Sequence, residues 1–274
     1  TGWELSIGYN NRWRDFTFGV QANVSDVKNE IVDMRGKTST SGVLRNQEGY
    51  SIGSIYALES LGIIRTQEEA DWVNENCPQY GVTTKPGDLI YADMDDSGTI
   101  DDKDMTIIGS TVPRYTYGVN LSFGWKGLNL SAFFQGVGNV NFFTNNTYTQ
   151  PFTASSISLS NVFTDLIGKY WSESNPDPNA RYPRLTTSPN PNNSQKSTFW
   201  MVNGRYMRLK NAEIGYSLPK QVVNKLRIDG LRIYVSGMNL LTFSDFKLWD
   251  PDLQTGAANY PNNRVYNIGV SLIF

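Results

Sequence analysis

Histidine is absent from these 274 residues, and cysteine occurs once, at Cys77. The first absence removes the commonest general base and the commonest zinc ligand. The second leaves no intrachain disulfide. No stretch approaches the ~20 consecutive apolar residues of a membrane-spanning helix, which excludes a helical membrane protein. It says nothing against a β-barrel, whose apolar and polar residues alternate. The formal net charge is −2, so there is no basic field of the kind that draws in nucleic acid. Nothing near Thr1 reads as a start methionine or a secretory signal. A mature piece or a C-terminal fragment of a longer chain is therefore expected.

What is present is alternation, clearest at the end of the chain. Tyr266, Ile268, Val270, Leu272 and Phe274 are apolar, while Asn267, Gly269 and Ser271 between them are small or polar. Period two places the first set on one face of a strand. A soluble domain rarely ends on an exposed apolar strand, because such edges aggregate. A membrane barrel does so naturally, since its last strand pairs with its first and its outer face meets lipid. The pattern formed by Asn267, Gly269, Leu272 and Phe274 also resembles the C-terminal signal read by the bacterial barrel-insertion machinery.

The same alternation recurs upstream. Phe16, Phe18, Val20, Ala22 and Val24 form one face of a stretch, and Tyr115, Tyr117, Val119, Leu121, Phe123 and Trp125 form another. Shorter stretches lie at residues 3–9, 128–134, 212–216 and 231–235, which with the terminal one makes seven. In each, the opposite face is small or polar, which suits a wet lumen. Met207 and Leu209 are out of step with Ala212 and Ile214. This predicts either a bulge or a lumen-facing apolar pair. The links at 10–15, 126–127 and 217–230 are short, and those near 33–113, 144–202 and 244–263 are long. Outer-membrane barrels have short periplasmic turns and long extracellular loops. The fold expected is therefore all-β: an antiparallel transmembrane β-barrel, of which residues 1–274 supply the C-terminal seven strands or so. Seven strands in lipid would leave two unsatisfied edges, so the remaining strands are expected upstream or on another chain.

The insertion at 33–113 carries a dense run of oxygens from Asp93 to Asp104. Asp93, Asp95 and Ser97 fall at positions 1, 3 and 5 of a calcium-loop spacing, Gly98 at 6, Thr99 at 7 and Asp101 at 9. Position 12 is Asp104 rather than Glu, as in the calcium loops of dockerins. Crowded carboxylates repel one another without a counter-ion, so a hard dication is expected here, Ca²⁺ ahead of Mg²⁺. Its role would be structural. The alternative is an Asx-rich turn without metal.

Taken together, several segments are similar to TonB-dependent outer-membrane transporters of the SusC/RagA type. They are residues 48–53 (EGYSIG), 85–93 (KPGDLIYAD) with the calcium-like loop, 108–118 (IGSTVPRYTYG) and 130–138 (LSAFFQGVG). Residues 171–175 with 181–185, 206–211 (YMRLKN) and 233–240 (IYVSGMNL) continue the likeness, in order, over nearly the whole chain. The resemblance implies a Bacteroidetes-type outer membrane, an upstream plug and TonB-contacting segment, and a SusD-like surface lipoprotein as lid. It implies a glycan or peptide substrate, no nucleic acid and no bond chemistry.

Other residues stay open between readings. Trp171, Tyr182, Trp200 and Trp249 lie in or beside the long loops. They can stack on a substrate's sugar rings, contact a lid, pack the loops or anchor at the interface. Gln21, Asn23, Asn120, Gln135 and Arg232 face the expected lumen and can touch solute or form a solvated wall. Thr66 and Glu69 form a capping-box pattern that predicts a short surface helix over 66–74. A secreted, calcium-stabilised glycan-binding β-module is the competing class. It accounts for the loop and the aromatics but not for the terminal Phe274.

Overall fold

The structure, a computed structural model, describes residues 1–144, 164–187, 190–254 and 259–274. It begins with β1 (Gly2–Trp13) and β2 (Phe16–Val27). The first long connection holds β3 (Ser39–Ser41), β4 (Leu44–Asn46), β5 (Ser54–Ala57), β6 (Ser60–Ile63), helix α1 (Gln67–Asn76), β7 (Leu89–Tyr91) and β8 (Thr106–Ser110). β9 (Tyr115–Trp125) and β10 (Leu128–Gly138) follow, then β11 (Asn141–Phe143) and β12 (Met201–Asn203) at either end of the second long connection. The chain continues through β13 (Tyr206–Ser217), α2 (Lys220–Lys225), β14 (Gly230–Phe243) and β15 (Val265–Ile273). No described helix is long and apolar enough to cross a membrane.

The seven long strands form one sheet in the order β1-β2-β9-β10-β13-β14-β15. Every neighbouring pair is antiparallel. The register turns the alternation of single strands into two continuous surfaces, because directly opposed residues share a face. Val20 opposes Leu121, which opposes Ala132, then Ala212, Gly237 and Tyr266. The next row on that face is Phe18, Phe123, Leu130, Ile214, Val235 and Ile268. Between them runs a row of the other face: Gly19, Ser122, Ser131, Glu213, Ser236 and Asn267. A slip of one residue in any strand would exchange the faces, so the pattern fixes the register. Ile268 is 81% exposed and Val270 60% exposed, and no packed layer of the described residues covers that face.

The register conflict at Met207 and Leu209 resolves as a bulge. Phe133 opposes Asn211 but Phe134 opposes Leu209, which leaves Lys210 as the extra residue. β14 answers at the same level, where Asn239 (φ 54°) and Leu240 fall between the pairs Asn211–Met238 and Leu209–Leu241. The extra residue returns Met207 and Leu209 to the apolar face.

One end of the sheet has tight connections. Lys126 (φ 46°) and Gly127 (φ 92°) are both left-handed, the geometry of a type I′ hairpin turn. A Cβ on Gly127 would stand 2.5 Å from the Ser217 carbonyl oxygen. An aromatic girdle surrounds this end: Trp13 stacks on Phe16, and Phe16 on Trp125 with centroids 5.6 Å apart. Aromatic girdles at the interface are a feature of membrane barrels.

At the other end the long connections fold together. Ile55, Leu58, Leu89 and Tyr91 from the first and Trp171, Tyr182 and Trp200 from the second form one buried cluster. The third connection packs beside this cluster: the Phe246 ring meets Phe142 edge-on at 5.1 Å, and Gln254 Nε2 donates to the Thr111 carbonyl at 3.2 Å. α1 forms half of the expected capping box: Thr66 Oγ1 accepts from the Glu69 N–H at 3.2 Å, but the Glu69 carboxylate accepts from the Arg65 N–H, at 2.7 Å, rather than from that of Thr66. It buries Ala70 and Val73 and leaves its polar side outward.

Candidate functional site

The loop body is held by a buried carboxylate. Asp88 is fully buried. Its Oδ2 accepts from the Lys85 N–H and from Arg184 Nη2, each at 2.9 Å, and its Oδ1 from Asn190 Nδ2 at 3.0 Å and Asn193 Nδ2 at 2.8 Å. Asn193 in turn accepts from the Leu89 N–H at 2.9 Å, and its carbonyl from Trp200 Nε1 at 2.9 Å. Tyr91 donates its hydroxyl proton to the Asn192 carbonyl at 2.6 Å. This network ties residues 85–91 of the first long loop to residues 190–200 of the second.

The oxygen-rich loop is on the same body. One carboxylate oxygen each from Asp93, Asp95 and Asp104 lie within 4.8 Å of one another. Gly98 takes the left-handed conformation (φ 77°) that the turn needs. The Gly98 N–H donates to Asp93 Oδ2 at 2.8 Å, and the Met94 and Asp101 N–H groups each donate to Asp104 at 2.8 Å. Ser97 Oγ lies 3.0 Å from the Thr99 carbonyl oxygen. Burial pulls the Asp104 carboxyl upward, but the N–H groups of Asp101, Met94 and Asp95 outweigh it and hold the group below the ordinary carboxylate range. Burial, then Asp93 and Asp104, push the neighbouring Cys77 thiol up. Burial also raises Tyr80, which donates to Asp102 at 3.1 Å.

The aromatic residues separate. Trp171, Tyr182 and Trp200 are at most 5% exposed. Their rings are packed inside the loop core formed by the described residues. The Tyr182 hydroxyl donates to Asp165 at 3.1 Å and is pushed up to about 12 by burial and then by that carboxylate. Trp249 is half-buried, with its Nε1 donating to the Gln254 carbonyl at 2.7 Å. It lines a polar cavity of about 260 Å³ with Arg208, Thr242 and Asp250.

Arg208 is a residue that sequence reasoning missed. It sits on the polar face between Gln135 and Thr242 and is 1% exposed. It pairs with Asp250 and, at 2.9 Å, with Asp252, while its Nε donates to Thr242 Oγ1 at 3.1 Å. The third long loop therefore turns inward over the polar face. The one available clue was a lone arginine in a strand whose outer neighbours are apolar. Arg232 pairs with Glu213 and lies over the Tyr234 ring. Tyr234 itself lies across Gly269, where a Cβ would approach its Cζ to 2.2 Å. Asn267 and Gly269 face the polar side opposite Ser236 and Tyr234, and Leu272 opposes Leu231. Phe274 follows β15 and is 88% exposed.

No protein-family model matches the chain. TonB-dependent receptor P3 of Formosa agariphila is 30% identical over 309 residues, covering 100% of this chain and 28% of that protein. TonB-dependent receptor P26 of the same organism is 27% identical, covering 100% of this chain and 29% of that protein. The structure of the RagAB peptide transporter matches with a TM-score of 0.77 at 25% identity, over 100% of this chain and 29% of that one. The RagAB peptide importer in its open-open state matches at a TM-score of 0.74. The chain thus spans less than a third of the length of the proteins it resembles. Its open, two-faced sheet is a section of a barrel wall, and over its whole length the chain is similar to SusC/RagA-type TonB-dependent receptors, which are proteins of the bacterial outer membrane.

Proposed function

We propose that this segment supplies part of the wall and the extracellular mouth of an energised importer, which carries an oligosaccharide or a peptide across the outer membrane. The observation that carries the reading is the packing of three long loops beside one another at a single end of a two-faced wall. A mouth that must gate a large solute needs such a rigid rim, and no bond chemistry is required of it. The rest of the barrel, the plug and the TonB-contacting segment would come from the remainder of the polypeptide, since an open sheet in lipid leaves backbone groups unsatisfied. A SusD-like surface lipoprotein would seat on the loop body. The likeness to RagAB supports such a partner and, of the two substrates, favours a peptide. The β-module alternative leaves the exposed apolar face unexplained. Purification of the intact receptor from its own membrane in mild detergent tests the proposal. Co-elution of a surface lipoprotein is expected. A receptor that runs alone, after mild cross-linking as well, would contradict the partnership.

Within the mouth, Asp93, Asp95, Ser97, Thr99 and Asp104 would hold a structural Ca²⁺. The donor set fits: hard oxygens converge, and among the described residues the only cation in an ion pair with this loop is Lys103, on Asp101 at 3.9 Å. Calorimetry on the intact receptor is expected to show Ca²⁺ binding with a Kd of about 10⁻⁴–10⁻³ M, the range of extracellular modules. Asp93→Ala should remove that binding and leave the barrel folded. Heat of binding unchanged by Asp93→Ala would refute the site. Asn267, Gly269, Leu272 and Phe274 would serve the barrel-insertion machinery, with Gly269 also making room for Tyr234.

A further inference from the structure

The apolar face does not meet the loop body abruptly. At the long-loop end a cavity of about 440 Å³ is bordered by Asp165, Lys169, Arg181 and Asn203. It shares Asp245 and Lys247 with a second depression of about 410 Å³, whose floor is Tyr117, Met207 and Phe243. Those three floor residues belong to the lipid-facing surface. Met207 opposes Gly136 on one side and Phe243 on the other, and Tyr117 opposes Gly136 from the next strand. The absence of a side chain at Gly136 lets the Tyr117 ring lie across it, where a Cβ would come within 2.4 Å, and the Tyr117 hydroxyl donates to the Tyr206 carbonyl at 3.1 Å. The cleft therefore has an apolar foot at the top of the membrane band and a charged head just above it.

The head is not electrically balanced. Arg205 is matched by Asp245, and Lys169 by Asp165. Lys247 and Arg181 make no ion pair among the described residues. Arg181 lies instead over the Tyr182 ring, 6.0 Å from its centroid. Lys169, Arg181, Arg205 and Lys247 against Asp165 and Asp245 leave the lining with an excess of positive charge above an apolar floor, at the level where headgroups of the outer leaflet begin.

We propose that this cleft binds the anionic, phosphorylated headgroup of an outer-leaflet lipid, with an acyl chain along Tyr117, Met207 and Phe243 and the phosphate at Lys247 and Arg181. Charge complementarity and continuity with the lipid-facing band select this occupant over a soluble anion, which would have no use for the apolar floor. The inference rests on the wall's being embedded in the outer membrane. A lipid held here would tie the second and third long loops to the bilayer surface, and so bear on the mouth.

Native mass spectrometry of the intact receptor released from nanodiscs tests it. The nanodiscs would contain phosphatidylcholine alone, or phosphatidylcholine mixed with phosphatidylglycerol or with lipid A. Retention of phosphatidylglycerol or lipid A over phosphatidylcholine is expected. Lys247→Gln should weaken that retention about fivefold, the effect of one lysine charge at an anionic surface. Lys37→Gln, the same change at another exposed loop position, should leave it intact. Lys247 is exposed and makes no ion pair, so its substitution should not disturb folding. Equal retention of anionic and zwitterionic lipid, or equal loss from both variants, would overturn the proposal. Displacement by inorganic phosphate as readily as by lipid would overturn it too, since the floor would then contribute nothing. Insertion into the nanodisc is read separately. A receptor that inserts without lipid preference refutes the cleft alone, whereas one that stays outside refutes the membrane wall.

Discussion

Leu121→Arg in the intact receptor is expected to lower the stability of the folded barrel by about 2–4 kcal/mol, the cost of an arginine facing lipid near the bilayer midplane. Asn120→Arg, one residue away, is expected to be close to neutral. The two positions differ in little but direction. Leu121 lies in the row of Val20, Ala132, Ala212 and Gly237, and Asn120 opposes Gln21 on the other face. Denaturant titration in detergent or lipid, read by heat-modifiable migration, measures both. The contrast matters more than either value. If both arginines cost the same, the sheet does not separate lipid from water.

The second large effect is expected at Asp88. Asp88→Ala removes the acceptor for Arg184, Asn190, Asn193 and the Lys85 N–H at once. Removing one partner of a buried charge pair costs about 3–5 kcal/mol. The Arg184 side chain is 24% exposed and can turn toward water, which places the expected loss near the lower end. The loss should be local. Hydrogen exchange is expected to quicken over 85–91 and 190–200, with the amides of β9 and β10 unchanged. Uniform loss of protection across wall and loops would show that the loop body is not a separate unit. Asp88→Asn keeps an acceptor and should fall between the two.

What could be read from sequence was whatever repeats over a short distance. Period-two alternation located the strands of the wall, and the conflict at Met207 and Leu209 pointed to a bulge or a lumen-facing apolar pair, of which the structure has the bulge, at Lys210; both signals lie within one strand. The ends of strands were harder. β1 continues through Asn10, Asn11 and Arg12 to Trp13, where polar residues hide the period, and β14 runs on past its glycine and bulge to Phe243. The gathering of Asp93, Asp95 and Asp104 was legible because these carboxylates lie within one short stretch. The loop core was not. β3, β4 and β5 are three or four residues long, too short for a period to show. The contacts that bury Trp171, Tyr182 and Trp200 join segments far apart in the chain, as Tyr91 and Asn192 are, 101 residues from one another. An aromatic residue in a long loop looks the same in sequence whether it packs inward or waits for a sugar. Arg208 escaped notice for a related reason: its partners Asp250 and Asp252 lie beyond a strand and a turn, and only the inward fold of the third loop brings them to it.

The central claim is that this chain is a wall with one face in lipid and the other in water. Spin labels placed singly at Val20, Leu121 and Val270, and at Gln21, Asn120 and Ser271, in the intact reconstituted receptor test it most directly. Collision rates with oxygen, which concentrates in lipid, and with a water-soluble nickel chelate would be measured at each. The first three positions should favour oxygen and the second three the chelate, switching with every step along each strand. The same preference at both members of a neighbouring pair would contradict the account.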